Sequence, residues 1–141
     1  MSKVDFYVLA ESGEPSRQRF ACRLAEKAYR LDNAVHIRVA DAASASQLDD
    51  LLWTFRDGSF VPHEVVRAGD ASRESPVTIS HADLDIEADL LINLGDTIPP
   101  RANAYARIAE VVTADEPGRS RSREHFVAYR DQGHTLDTHK L

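Results

Sequence analysis

The chain alternates short apolar runs with longer stretches in which apolar residues recur every three or four positions. Val4–Leu9 (VDFYVL) is a compact run rich in β-branched and aromatic residues, and it predicts a buried strand. Glu11–Pro15 reads as a turn, and Ser16 as the N-cap of a helix reaching Tyr29 or Leu31. Around that helix Phe20, Ala21, Leu24, Ala25, Ala28 and Leu31 fall on one arc, with Arg23, Glu26, Lys27 and Arg30 opposite. Asp32–Asn33 turns into a second strand at Val35–Val39. Asp41 or Ser44 then opens a second helix to about Phe55, with Leu48, Leu51, Leu52 and Phe55 on its core face. A turn at Arg56–Ser59 follows, and a loop of charged and small residues spans Ala68–Ser75. Val77–Ser80 and Asp89–Leu94 (DLLINL) predict further strands, and Thr97–Pro100 is a breaker. Tyr105–Val112 fits a strand or a helix, and the IAEVV run favours the strand. The last helix follows Pro117 and ends at Gly133.

Strands alternating with helices imply an α/β domain with a largely parallel sheet and helices on its faces, a three-layer arrangement resembling nucleotide-binding, Rossmann-like folds. Residues 1–141 make one such domain, long enough to bury roughly 68–70% of the surface exposed by the unfolded chain. A phosphate loop is missing. After the first strand only Gly13 stands in AESGEPS, and neither G-x-G-x-x-G nor G-x-x-x-x-G-K-[ST] occurs. Without closely spaced glycines, backbone amides cannot wrap a pyrophosphate.

Charge and composition narrow the picture. Seventeen Lys and Arg against 23 Asp and Glu give a net charge of −6, which argues against broad adhesion to nucleic acid or anionic membranes. No apolar run reaches the ~18 residues of a membrane span. Asp5 interrupts the first apolar run, which therefore does not read as a signal peptide. The single cysteine, Cys22, permits no internal disulfide and fits a reducing cytoplasm. It lies at the border of the first helix's apolar arc with no base beside it, so it reads as a packing residue rather than a nucleophile. Histidines at 36, 63, 81, 125, 134 and 139 show no metal-ligand spacing, with His134 and His139 read as surface residues near a frayed end. Asp83, Asp85, Glu87 and Asp89 alternate, a pattern that suits either ligands on a strand face or a solvated acidic loop, the latter being favoured. No catalytic, cofactor or metal site is expected.

Two positive signals remain. Trp53 projects ~140° from Leu48, away from the core stripe of its helix, as an interface anchor would. With Phe60, Val61 and Pro62 of the following Ser59–His63 segment (SFVPH) it forms a candidate apolar patch for a protein partner. The second signal is a stripe of Arg119, Arg123, Phe126 and Arg130, at i, i+4, i+7 and i+11 of the last helix. Residues 117–134 carry four Arg against two acids, a net of +2, while the remainder carries −8. Arg121 falls ~160° from Arg123, off that face. Such a stripe either docks an anionic, partly apolar partner or is a solvated helix with Phe126 packed inward.

These segments resemble the chi subunit family of bacterial DNA polymerase III. The shared features are VDFYVL, Leu51–Trp53 followed by Ser59–His63, DLLINL, and a closing Arg-rich helix with AYRDQGH. The resemblance spans the chain in order, although Ala68–Asp83 matches poorly. It implies an α/β fold without an active site, in a non-catalytic subunit of the DNA-directed polymerase holoenzyme on its clamp-loader side. It implies two protein partners. The psi subunit would dock on Trp53, Phe60, Val61 and Pro62, a surface that in some bacteria also serves a repair helicase. The acidic C-terminal tail of single-stranded DNA-binding protein, which ends in a Phe carboxylate, would dock on Arg123 and Phe126. A further basic position maps to Arg119 or Arg121, and Arg130 joins by helical spacing alone. DNA would be reached only indirectly, from the cytoplasm. Two other readings stay open: an α/β small-molecule-binding domain or enzyme with an unfamiliar site, and direct single-stranded DNA binding through the Arg/Phe stripe.

Overall fold

The computed structural model describes residues 2–58, 60–67, 75–81 and 86–141. Along the chain run β1 (Lys3–Val8), α1 (Glu14–Arg30), β2 (Val35–Val39), α2 (Ala42–Thr54), β3 (His63–Val65), β4 (Val77–Ser80) and β5 (Leu90–Leu94). A 3-10 turn (Ala102–Ala104), β6 (Arg107–Val112), α3 (Glu116–Asp131) and β7 (Thr135–Lys140) complete it. The strands form one seven-stranded sheet in the order β3-β4-β2-β5-β6-β1-β7, and every pairing is parallel. The expected α/β class is therefore observed.

The pleat sorts side chains to two cores. Val35, Ile37, Val39, Val77, Ile79, Ile92, Leu94, Ala109 and Val111 share one cluster with Ala21, Cys22 and Ala25 of α1 and Ala45, Leu48 and Leu52 of α2. On the other face Val4, Phe6, Leu91, Ile108 and Val112 pack with Ala102, Tyr105 and Tyr129 of α3. The crossover from β6 to β7 passes over β1, which places α3 across β1 and β6.

Several local expectations are corrected. α1 starts at Glu14 with Gly13 (φ 93°) at its N-cap, earlier than Ser16, because Pro15 fits a first helical turn where its missing N–H is not needed. Its buried face is rotated from the expected arc. Arg17, Gln18, Cys22 and Glu26 are buried while Leu31 is exposed. Glu26 is stabilised there by Arg56 at 2.6 Å and Arg30 at 3.7 Å. α2 opens at Asp41, whose side chain accepts from the Ser44 amide, settling the choice between those two residues. α3 begins one residue before Pro117, capped by Asp115. His63–Val65 is a further strand that no apolar run announced, being only three residues long and at the edge of the sheet.

The C-terminus is also ordered differently from the frayed end expected. β7 pairs with β1, and the buried His134 accepts from the Ser2 amide through Nδ1 (3.0 Å). Desolvation, with the nearby N-terminus, holds the His134 pKa below its ordinary value. His139 donates through Nε2 to Asp5 (2.9 Å) and stacks on Tyr7. β7 has a single apolar residue, Leu136, packed on the second core, so its sequence carried no alternation to mark it. The predicted Ala68–Ser75 loop, apart from Ser75, and the acids Asp83 and Asp85 lie outside the described residues.

Cys22 is fully buried, and burial pushes its thiol up to about 12. It should therefore resist a thiol-specific reagent at pH 8 in the native protein and react at once in denaturant. Rapid native reaction would show that α1 does not pack as described.

Candidate functional site

The first candidate surface grows from α2. Its buried side is Ala45, Leu48 and Leu52, which leaves Trp53 turned outward and 51% exposed. The chain then doubles back, and Val61, wholly buried, pins the return. Val61 therefore anchors the patch from inside the core and is not part of its surface. Phe60 is 66% exposed, with its ring centroid 5.8 Å from that of Trp53, and Pro62 is half-buried beside it. Beneath lies His63, whose ring is centred 4.5 Å from Trp53. Its Nδ1 meets the Val61 carbonyl (2.7 Å) and its Nε2 the Asp49 carbonyl (3.1 Å). The Trp53–Phe60 pair is thus a standing aromatic ridge on a rigid base.

The second surface is α3. Its buried side chains are His125 and Tyr129, with Gly118 at the first turn, where an added Cβ would come 2.1 Å from Thr113 Oγ1. That spacing turns Arg119, Arg123 and Arg130 outward. Phe126 is 37% exposed, its inner edge against Phe6 of β1 at a centroid distance of 5.5 Å. The ring packs inward on one side, as the solvated-helix reading expects in part, and faces solvent on the other. Arg123 donates to Glu116 (2.7 Å) in a pair exposed on both sides, a contact of little strength that a competing carboxylate can displace. Arg130 is exposed and lies 3.5 Å from the neighbouring Asp131. Arg119 forms no ion pair among the described residues. Arg121 is half-buried and turned from that face, so Arg119 accompanies Arg123 and Phe126 in space while Arg121 does not.

What holds α3 in this attitude is a polar cluster that the sequence reading missed. Glu110 of β6, 3% exposed, accepts from Tyr129 Oη (2.7 Å) and Asn93 Nδ2 (2.7 Å) through Oε2, and faces His125 Nδ1 (2.9 Å) through Oε1. His125 Nε2 in turn donates to the Asp96 carbonyl (2.8 Å). Arg38 of β2 extends the network, donating to Asn93 Oδ1 (3.0 Å) and to the Thr97 carbonyl and hydroxyl (2.6 and 3.0 Å). Burial disfavours the charged His125 ring, but the bond to Glu110, its charge and the Asp96 carbonyl outweigh that, and the pKa lies above the ordinary histidine value. Desolvation by burial and the same carboxylate drive the Tyr129 hydroxyl upward, keeping it a donor. The signal was available. Asn93 and Glu110 interrupt otherwise apolar strands, and a polar residue in a buried strand needs partners.

Among the described residues no cluster of three or more His, Cys, Asp or Glu is arranged to hold a metal ion, and no helix is long and apolar enough to cross a membrane. The geometry defines an α/β domain of Rossmann-like layering with two exposed aromatic surfaces. Comparison with known proteins then gives the family. Residues 1–137 match the DNA polymerase III chi subunit, HolC, and the chain belongs to that family. The chain is 38% identical to DNA polymerase III subunit chi of Pseudomonas aeruginosa over 142 aligned positions, covering 100% of this chain and 98% of that protein. It is 31% identical to the Haemophilus influenzae subunit, covering 96% and 95%. It is 29% identical to that of Escherichia coli, covering 98% and 97%. Among solved structures, T4 UvsW aligns with a TM-score of 0.66 at 8% identity, covering 99% of this chain and 41% of UvsW. A variant of S. cerevisiae Dbp5 bound to Gle1 and IP6 aligns with a TM-score of 0.59 at 15% identity, over 96% and 42%. These two likenesses concern the fold alone.

Because His125 has a raised folded pKa, its contribution to stability is fully present below the unfolded value of about 6.5 and is lost as pH rises through the folded one. Denaturant titrations of wild type and His125→Gln from pH 5 to 9 should converge as pH rises. A constant gap would show that His125 does not titrate against Glu110.

Proposed function

We propose that this chain is a non-catalytic adaptor of the bacterial replicase, joining the psi subunit to the acidic tail of single-stranded DNA-binding protein. The support is membership in the chi family together with two separate exposed aromatic surfaces on a domain lacking a phosphate loop. In this reading Trp53 and Phe60, flanked by Pro62, enter a hydrophobic site on psi, and a repair helicase competes for the same ridge. Val61 and His63 act only by fixing it.

On α3 the tail's terminal Phe ring lies against the open side of Phe126, and its carboxylates take Arg123 and Arg119. A guanidinium binds carboxylate bidentately, and the tail displaces Glu116 from Arg123. Affinity is modest and falls with salt, and several tails on one tetramer compensate by avidity. Chi thereby tethers the clamp loader to coated template in the cytoplasm without gripping DNA, in keeping with the net charge of −6. The alternative of a small-molecule domain has less behind it. A cleft beside Ala42, Asp49, Val65 and His81 has a volume of about 140 Å³, well below the ~300–1,000 Å³ usual for such sites.

Fluorescence anisotropy with a labelled acidic peptide ending in Phe should show saturable, salt-sensitive binding. Arg123→Glu and Phe126→Ala should each weaken it about tenfold or more, about 1.4 kcal/mol. No binding by the wild type, or variants that bind as tightly as the wild type, defeats the assignment. Trp53→Ala should abolish co-purification with psi while the melting temperature shifts by no more than about 2–4 °C. Retained psi, or a large loss of stability, would contradict the docking role.

A further inference from the structure

Trp53 and Phe60 are framed by carboxylates. On α2, Asp49 and Asp50 stand four and three residues before Trp53 and so flank its side chain on the helix surface. Asp57 lies on the turn that carries the chain from Trp53 to Phe60. Asp50 and Asp57 are exposed, and neither forms an ion pair among the described residues. Asp49 is half-buried, 3.2 Å from His63 Nε2, and lines a cleft with Arg67 and His81, where the chain supplies basic groups of its own. The weight therefore falls on Asp50 and Asp57.

Little on the chain offsets these two charges. α2 has no basic residue in its last turn, so the negative end of the helix adds to them. Arg56 is the one cation in sequence between Trp53 and Phe60, and its guanidinium is committed to the buried Glu26 of α1 at 2.6 Å. The ridge is thus apolar at its crest and negative at its border, whereas α3 presents Arg119, Arg123 and Arg130 beside Phe126. The two exposed aromatic surfaces are opposite in sign.

We infer that the protein segment seated on this ridge is basic: an apolar anchor against Trp53 and Phe60, flanked by Lys or Arg that face Asp50 and Asp57. This rests on the psi docking proposed above and names the chemistry that psi brings to it. A cation at this border also gains from the open face of the Trp53 ring. Charges at the border of an interface steer encounter and reject wrong partners. The same carboxylates repel the acidic tail assigned to α3, so the two partners are sorted to separate surfaces by charge.

The test measures binding of psi to the full-length chain at low and at high salt. The double variant Asp50→Lys/Asp57→Lys should weaken psi about tenfold or more at low salt, with the gap to wild type narrowing as salt screens it. Its melting temperature should not fall, since a lysine near the C-terminal end of α2 suits the helix dipole. Glu124→Lys/Asp131→Lys makes the same change of charge at exposed positions of α3 and should bind psi as the wild type does. If Asp50→Lys/Asp57→Lys binds as tightly as wild type while Trp53→Ala loses psi, the basic segment is overturned and the docking site stands. Psi retained by Trp53→Ala would overturn the docking role and this inference with it. An equal loss in the α3 double variant would show that net charge alone acts, and would overturn a local role for Asp50 and Asp57.

Discussion

The buried carboxylate of Glu110 is the constraint on which the arrangement of this domain turns. It sits where β5, β6 and α3 meet and acts only as an acceptor, receiving Asn93, Tyr129 and His125. Leaving such a group without partners in the interior would be costly, so each donor is held to a narrow position. Two donors lie one turn apart on α3, which fixes the rotation of that helix about its axis. Through Asn93 and Arg38 the same network fixes the loop at Asp96 and Thr97, whose carbonyls close it. A hydrophobic contact alone would tolerate rotation of α3. A carboxylate with directional donors does not.

That rotation determines what the molecule shows to partners. With His125 and Tyr129 inward, Arg119, Arg123 and Phe126 share the outer side, and half-buried Arg121 is turned off it. The second surface obeys similar logic by different means. Val61 is buried and the His63 ring lies against two carbonyls, and Phe60 stands against Trp53. In both places an exposed aromatic packs one side against another ring, Phe126 against Phe6 and Phe60 against Trp53.

Much of this was legible from the residues. Parallel α/β layering follows from short apolar runs between amphipathic stretches, and the runs at Val35–Val39 and Val77–Ser80 coincide with observed strands. The exposure of Trp53 followed from its angle to Leu48. What was hidden has physical reasons. β7 buries only part of one apolar side chain, Leu136, so no periodicity distinguishes it from loop. The burial of Arg17 and Glu26 contradicts the usual fate of charges and is intelligible only once Glu14, Arg30 and Arg56 are in place. Helical spacing put Arg119, Arg123 and Phe126 on one face, but it could not reveal that Phe126 would share its ring between Phe6 and solvent. The Glu110 network joins residues from four distant segments, and only the polar interruptions of two apolar strands hinted at it.

The central claim is that Glu110 holds α3 in register with the sheet, and native-state hydrogen exchange on Glu110→Gln tests it most directly. The account predicts that amides of Glu116–Asp131 lose at least about tenfold protection while those of β1, β2 and α1 keep theirs, because the opening is local to α3. Unchanged protection along α3, or a uniform loss across all elements, would contradict it.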